Sequence, residues 1–146
     1  MAHVSKSVLV AHPAETMFDL VDAVEHYPAF LPWCGGVALH SQDDAHTEAS
    51  VHIRYLGVTQ SFRTRNSKMR PREMQLSLVD GPFQSFTGAW RFTPLAPQAC
   101  KVEFVIDYTF ANPLVERVLG PVMATIAETF VDRFVQRADA LYNAGA

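Results

Sequence analysis

After a long run at period two, the hydrophobic period of this chain turns helical at Asn112-Pro113, and that change restricts the folds open to it. From Gly35 to Phe110 apolar residues recur at every second position. Val51, Ile53 and Tyr55 alternate with Ser50, His52 and Arg54, and Met74, Leu76 and Leu78 with Gln75 and Ser77. Phe86, Gly88, Trp90 and Phe92 alternate with Thr87, Ala89 and Arg91, and Val102, Phe104, Ile106 and Tyr108 with Lys101, Glu103 and Asp107. A period of two marks strands with one buried and one solvated face. Asp43-Asp44, Gly57, Arg70-Pro71, Asp80-Gly81-Pro82 and the stretch from Pro94 to Pro97 supply the turns. Six consecutive antiparallel strands are therefore expected.

Beyond Asn112 the period becomes helical. Val115, Val118, Leu119, Val122, Ile126, Phe130, Phe134, Ala138 and Leu141 form one apolar stripe. Asn112 suits the N-cap and Pro113 the first helical position. A helix over 113–142 would be roughly 45 Å long, and Gly120-Pro121 predicts a kink or two segments.

Ahead of the alternating region, His3 to Ala11 reads as a first strand. Met17, Phe18, Leu20, Val21 and Val24 then recur at helical spacing, so residues 13–25 are expected to form a short helix with Pro13 in its first turn and its close near Pro28 and Pro32. The order predicts an α+β architecture: a curved antiparallel sheet of about seven strands wrapped around a long C-terminal helix, with short helices after strand 1. Laying that helix on the apolar face of the sheet buries both. No repeat or linker divides the chain, so one domain over residues 1–146 is expected.

Several chemistries lack the residues they need. The net charge is −3, which gives no reason to expect a DNA partner. Cys34 and Cys100 stand far apart with no CxxC pair, and two free thiols are the simpler reading. The histidines His3, His12, His26, His40, His46 and His52 show no ligand spacing, so no metal is expected. No GxSxG, HExxH or Gly-rich loop occurs, and no nucleophile-base-acid set stands out, so neither an enzyme nor a cofactor is expected. A signal peptide and a bilayer-length apolar stretch are both lacking, so the expected location is cytoplasmic.

The layout, together with Tyr27-Pro28-Ala29-Phe30-Leu31-Pro32-Trp33-Cys34, resembles the coenzyme-Q-binding and ribosome association toxin family of the START-like superfamily. Arg65-Asn66, Asp80-Gly81-Pro82-Phe83, Trp90-Arg91-Phe92, Asn112-Pro113-Leu114 and Leu119-Gly120-Pro121-Val122 extend the likeness in order along nearly the whole chain. The resemblance implies a helix-grip fold with an elongated apolar cavity between sheet and long helix. It also implies three activities. The first is non-enzymatic binding or transport of ubiquinone, a polyisoprenoid or a lipid. The second is binding of the large ribosomal subunit that blocks subunit association. The third, least supported by the residues, is polyketide-cyclase-type catalysis.

The candidate ligand-binding residues are Tyr27, Phe30, Leu31 and Trp33 in the proline-held run. On the sheet they are Phe62, Leu76, Phe86, Gly88, Trp90, Phe104 and Tyr108, and on the helix Val122, Ile126 and Phe130. Gly88, small among large neighbours, is expected to leave room either for a ligand or for an adjacent aromatic ring. The proline-held run reads equally as a cavity wall or as a packed plug. Candidate ribosome contacts are Arg63, Arg65, Lys68 and Arg70, within the basic stretch from Arg54 to Arg72. The competing reading of that stretch is a solvated outer face whose charges block edge pairing.

Overall fold

The structure is a computed structural model and describes residues 2–142. Strand β1 (Ala2–Val10) leads into helix α1 (Ala14–Asp22) and a short 3-10 helix (Val24–Ala29). Strands β2 (Cys34–Gln42), β3 (His46–Tyr55), β4 (Val58–Met69), β5 (Glu73–Asp80), β6 (Phe83–Ala96) and β7 (Ala99–Phe110) follow, and helix α2 (Pro113–Tyr142) closes the order. The seven strands form one antiparallel sheet in the order β1-β7-β6-β5-β4-β3-β2. The six alternating segments are thus a meander, and β1 returns to pair with β7, Val4 opposite Ile106. The sheet is curved around α2 in the helix-grip arrangement.

Alternation places every second side chain against α2. On β7 the inner row is Val102, Phe104, Ile106 and Tyr108, all buried. On β3 it is Thr47, Ala49, Val51 and Ile53. Trp90, fully buried, stands at the centre of the core, with Phe92, Phe104, Phe130 and Phe134 all within 6 Å of its ring.

Three local expectations are corrected. Pro13 lies one residue before the first helical turn: its backbone is extended (φ −61°, ψ 152°) and its carbonyl accepts the Met17 N–H at 3.2 Å. The first helix ends at Asp22, and the tighter 3-10 turn takes up Val24 to Ala29 with Pro28 inside it. Of the kink or two segments expected at Gly120-Pro121, the two segments are not found: one helix runs from Pro113 to Tyr142. Pro121 lacks the N–H that would reach the Arg117 carbonyl. Pro121 and Arg117 are both exposed, so water can take that carbonyl. At the helix start, Asn112 Oδ1 accepts the Val115 N–H at 2.9 Å, the expected cap.

The buried face of α2 is wider than one stripe. The row Val122, Ile126, Phe134 and Ala138 is joined by the parallel row Leu119, Met123, Ala127 and Val131. A helix lying in a concave sheet is covered on both flanks, which buries more than a single row. Val118 and Leu141, placed on the stripe by spacing alone, are exposed.

Candidate functional site

Between the sheet and α2 lies a cavity of about 80 Å³. Its floor is the inner face of β3 to β7: Ala49, Val51, Ile53, Phe62, Thr64, Asn66, Met74, Leu76, Phe86, Trp90, Phe104 and Ile106. Met123, Ile126, Ala127 and Phe130 of α2 roof it, and Val21, Val24, Tyr27 and Trp33 close one side. Sites for drug-sized ligands measure roughly 300–1,000 Å³. A bound polyisoprenoid or acyl chain would therefore need the helix or the proline-held segment to part from the sheet.

The structure brings together Tyr27, Trp33, Phe62, Leu76, Phe86, Trp90, Phe104, Ile126 and Phe130 of the expected ligand residues. Five others stand elsewhere. Phe30 packs edge-on against Tyr27 and Phe134, with the Arg137 guanidinium 5.3 Å from its ring centre. Leu31 and Val122 are core residues outside the cavity wall. Tyr108 packs edge-on against Phe83 and Phe110 and at a tilt against Phe86, and borders a second hollow of about 480 Å³ beside Asn112 and Gly120.

The fifth, Gly88, opens no space. A Cβ there would stand 2.9 Å from Ile106 Cγ2, 3.2 Å from Leu76 Cδ1 and 3.3 Å from the Val105 carbonyl. Ile106 and Leu76 are its partners in the neighbouring strands and fill the place of the missing side chain. The proline-held run divides between its two readings: Tyr27 and Trp33 are wall, whereas Phe30 and Leu31 are packing.

The lining is apolar with few exceptions. Tyr27 donates its hydroxyl to the Val21 carbonyl, and burial, reinforced by the Asp22 charge, holds its phenol well above the usual tyrosine range. Thr64 and Asn66 are buried on the inner face of β4. Asn66 Oδ1 and the Trp33 indole Nε1 have no hydrogen-bond partner among the described residues.

Half of the six basic residues from Arg54 to Arg72 are paired within the fold. Arg63 Nε donates to Glu48 Oε2 at 2.8 Å. Arg70 forms a two-pronged pair with Asp19 of α1, at 2.8 and 2.9 Å. Lys68 is a correction: its side chain is 5% exposed and bonded to Asp22, so it presents no surface to a partner. Arg65 alone of the four stays exposed with no ion pair among the described residues. Arg54, exposed on the same outer face, is equally unpaired among them.

Both cysteines are buried free thiols, and burial pushes Cys100 up to about 11. No helix among the described residues is long and apolar enough to cross a membrane.

The profile of the family described as polyketide cyclase / dehydrase and lipid transport matches residues 10–135. The chain belongs to that family. Among curated relatives, the ribosome association toxin RatA of Escherichia coli (strain K12) is 38% identical over 99% of this chain and 91% of its own length. The mitochondrial coenzyme Q-binding protein COQ10 homolog B of Xenopus laevis is more distant, 23% identical over 94% of this chain and 58% of its own length. The crystal structure of the Zhui aromatase/cyclase from Streptomyces sp. R1128 superposes with a TM-score of 0.82 at 17% identity, covering 99% of this chain and 98% of that one. At that identity the likeness shows the shared fold alone.

Thr64 and Asn66 are cavity residues outside the expected set, although their parity announces them. They share the inner phase of β4 with Phe62, which alternation places correctly. Met123 and Ala127 carry no comparable signal, because the second row of α2 is buried by sheet curvature.

Proposed function

We propose that this protein is a non-catalytic binding protein that associates with ribosomes. The observation that carries the reading is kinship along nearly the whole chain, at 38% identity, with a protein named for ribosome association. The proposed contact is the outer sheet face, where Arg54 and Arg65 keep their charge free for rRNA phosphates, with the large subunit as partner and the cytoplasm as location. Binding rather than catalysis is supported by the cavity wall, whose one ionisable group, the Tyr27 hydroxyl, is engaged with a backbone carbonyl.

A second reading is favoured by a separate observation, the apolar cavity beneath α2. There the protein would hold a quinone, polyisoprenoid or lipid, sheltered from water at about 25 cal/mol per Å² of apolar area buried. The two readings use opposite faces of the sheet and can coexist. Sucrose-gradient sedimentation with purified ribosomal subunits at low salt tests the first. The protein is expected in the large-subunit fractions, and its absence from both subunit fractions would remove this reading.

A further inference from the structure

The cavity wall holds two polar atoms that the fold leaves unused. Trp33 is 5% exposed and Asn66 6% exposed, yet the indole Nε1 and the amide Oδ1 have no partner among the described residues. Buried polar groups are almost always paired, because an unmade hydrogen bond away from water costs the full desolvation of the group. Both residues are lodged in walls that, apart from the Tyr27 and Thr64 hydroxyls, are otherwise apolar. A cavity meant only for a hydrocarbon would gain from Phe and Leu at these positions. None of its lining residues carries a charge, so a carboxylate or phosphate brought inside would be stripped of water with nothing to balance it. Trp90, Phe104 and Phe130 pack against one another with their planes tilted by 40° to 47°, so a ring that enters the cavity meets aromatic surface.

We infer that the cavity receives the oxygen-bearing ring of a neutral ligand, its oxygens taking the Trp33 N–H and the Asn66 amide, and not an alkyl tail or a charged head group. The inference rests on the second reading above and on the same parting of α2 or the proline-held segment from the sheet, because about 80 Å³ is too little for such a ring in the closed cavity. An indole only donates, so one ligand oxygen must accept; the Asn66 amide can offer either end.

Three probes of one shape test it by calorimetric titration: naphthalene, 2,6-dihydroxynaphthalene and 2-naphthoate. The diol is expected to bind about tenfold more tightly than naphthalene, the worth of one to two neutral hydrogen bonds. The carboxylate is expected not to bind measurably. In Trp33→Phe and in Asn66→Leu the diol should lose most of that advantage while naphthalene binds as before. The unliganded Asn66→Leu variant should melt at or above the wild type, because the change removes an orphaned polar atom without loss of volume. Trp33→Phe also empties packed space beside Phe130 and is read by its binding. Naphthalene binding as tightly as the diol would overturn the inference and leave the apolar-ligand reading standing. Binding of none of the three would defeat both. Variants that melt lower with the diol preference intact would assign Trp33 and Asn66 to the packed scaffold and overturn the inference.

Discussion

Lys68 Nζ stands 2.9 Å from Asp22 Oδ2, a bond between the inner face of β4 and the last residue of α1. Asp22 Oδ1 accepts the Thr47 hydroxyl at 2.8 Å, so one carboxylate ties α1 to two strands at the cavity's edge. Removing the lysine leaves that carboxylate facing the core without its counter-ion. Lys68→Ala is expected to lower stability by about 3 kcal/mol in urea denaturation, the low end for a buried pair because Asp22 keeps some exposure to water. Arg70→Ala, which breaks a solvent-exposed pair with Asp19, should leave the midpoint near that of the wild type.

Gly88 is expected to behave as solid core. Gly88→Leu must displace Ile106, Leu76 or the Val105 carbonyl, and should cost about 1–3 kcal/mol in the same assay. A variant that melts like the wild type while losing ligand uptake would restore the view of Gly88 as the floor of a ligand site.

The buried thiols predict a weakness in alkali. Below pH 9.0, the ordinary value for the group, Cys100 is neutral in both folded and unfolded chains. Between pH 9 and about 11 the unfolded chain sheds the proton and the folded one keeps it, so stability is lost as pH rises through that window. Cys34, also raised by burial, acts in the same direction. Melting temperatures measured from pH 7 to 11 should fall most steeply in that window, and less steeply in Cys100→Ala. At pH 8 the native protein should react with iodoacetamide far more slowly than the unfolded chain does.

What can be read from the residues follows from periodicity. Alternation locates six strands, and the change at Asn112 locates α2 and its cap. The same rule reaches further than the basic stretch suggests. Lys68 shares its parity with Phe62, Thr64 and Asn66, so it belongs indoors, while Arg63 and Arg65 belong outside. Counting charge along the stretch from Arg54 to Arg72 conceals this, because a patch is a property of one face. Other facts have no local signal. The filling of Gly88 depends on which residues of β5 and β7 stand beside it, which is a matter of register. The ion pairs of Arg70 with Asp19 and of Lys68 with Asp22 join residues 51 and 46 positions apart. The two orphaned polar atoms emerge only when the partners of every buried group are known.

The central claim is that this fold meets the ribosome with its outer sheet face. A titration of the wild-type protein and the Arg54→Glu/Arg65→Glu variant against purified large ribosomal subunits, across a salt series, tests it most directly. The wild type is expected to weaken linearly in log affinity against log salt. The double variant should bind at least tenfold more weakly, with a slope shallower by about one to two, one for each phosphate that is no longer neutralised. A double variant that binds with wild-type affinity and slope would contradict the claim.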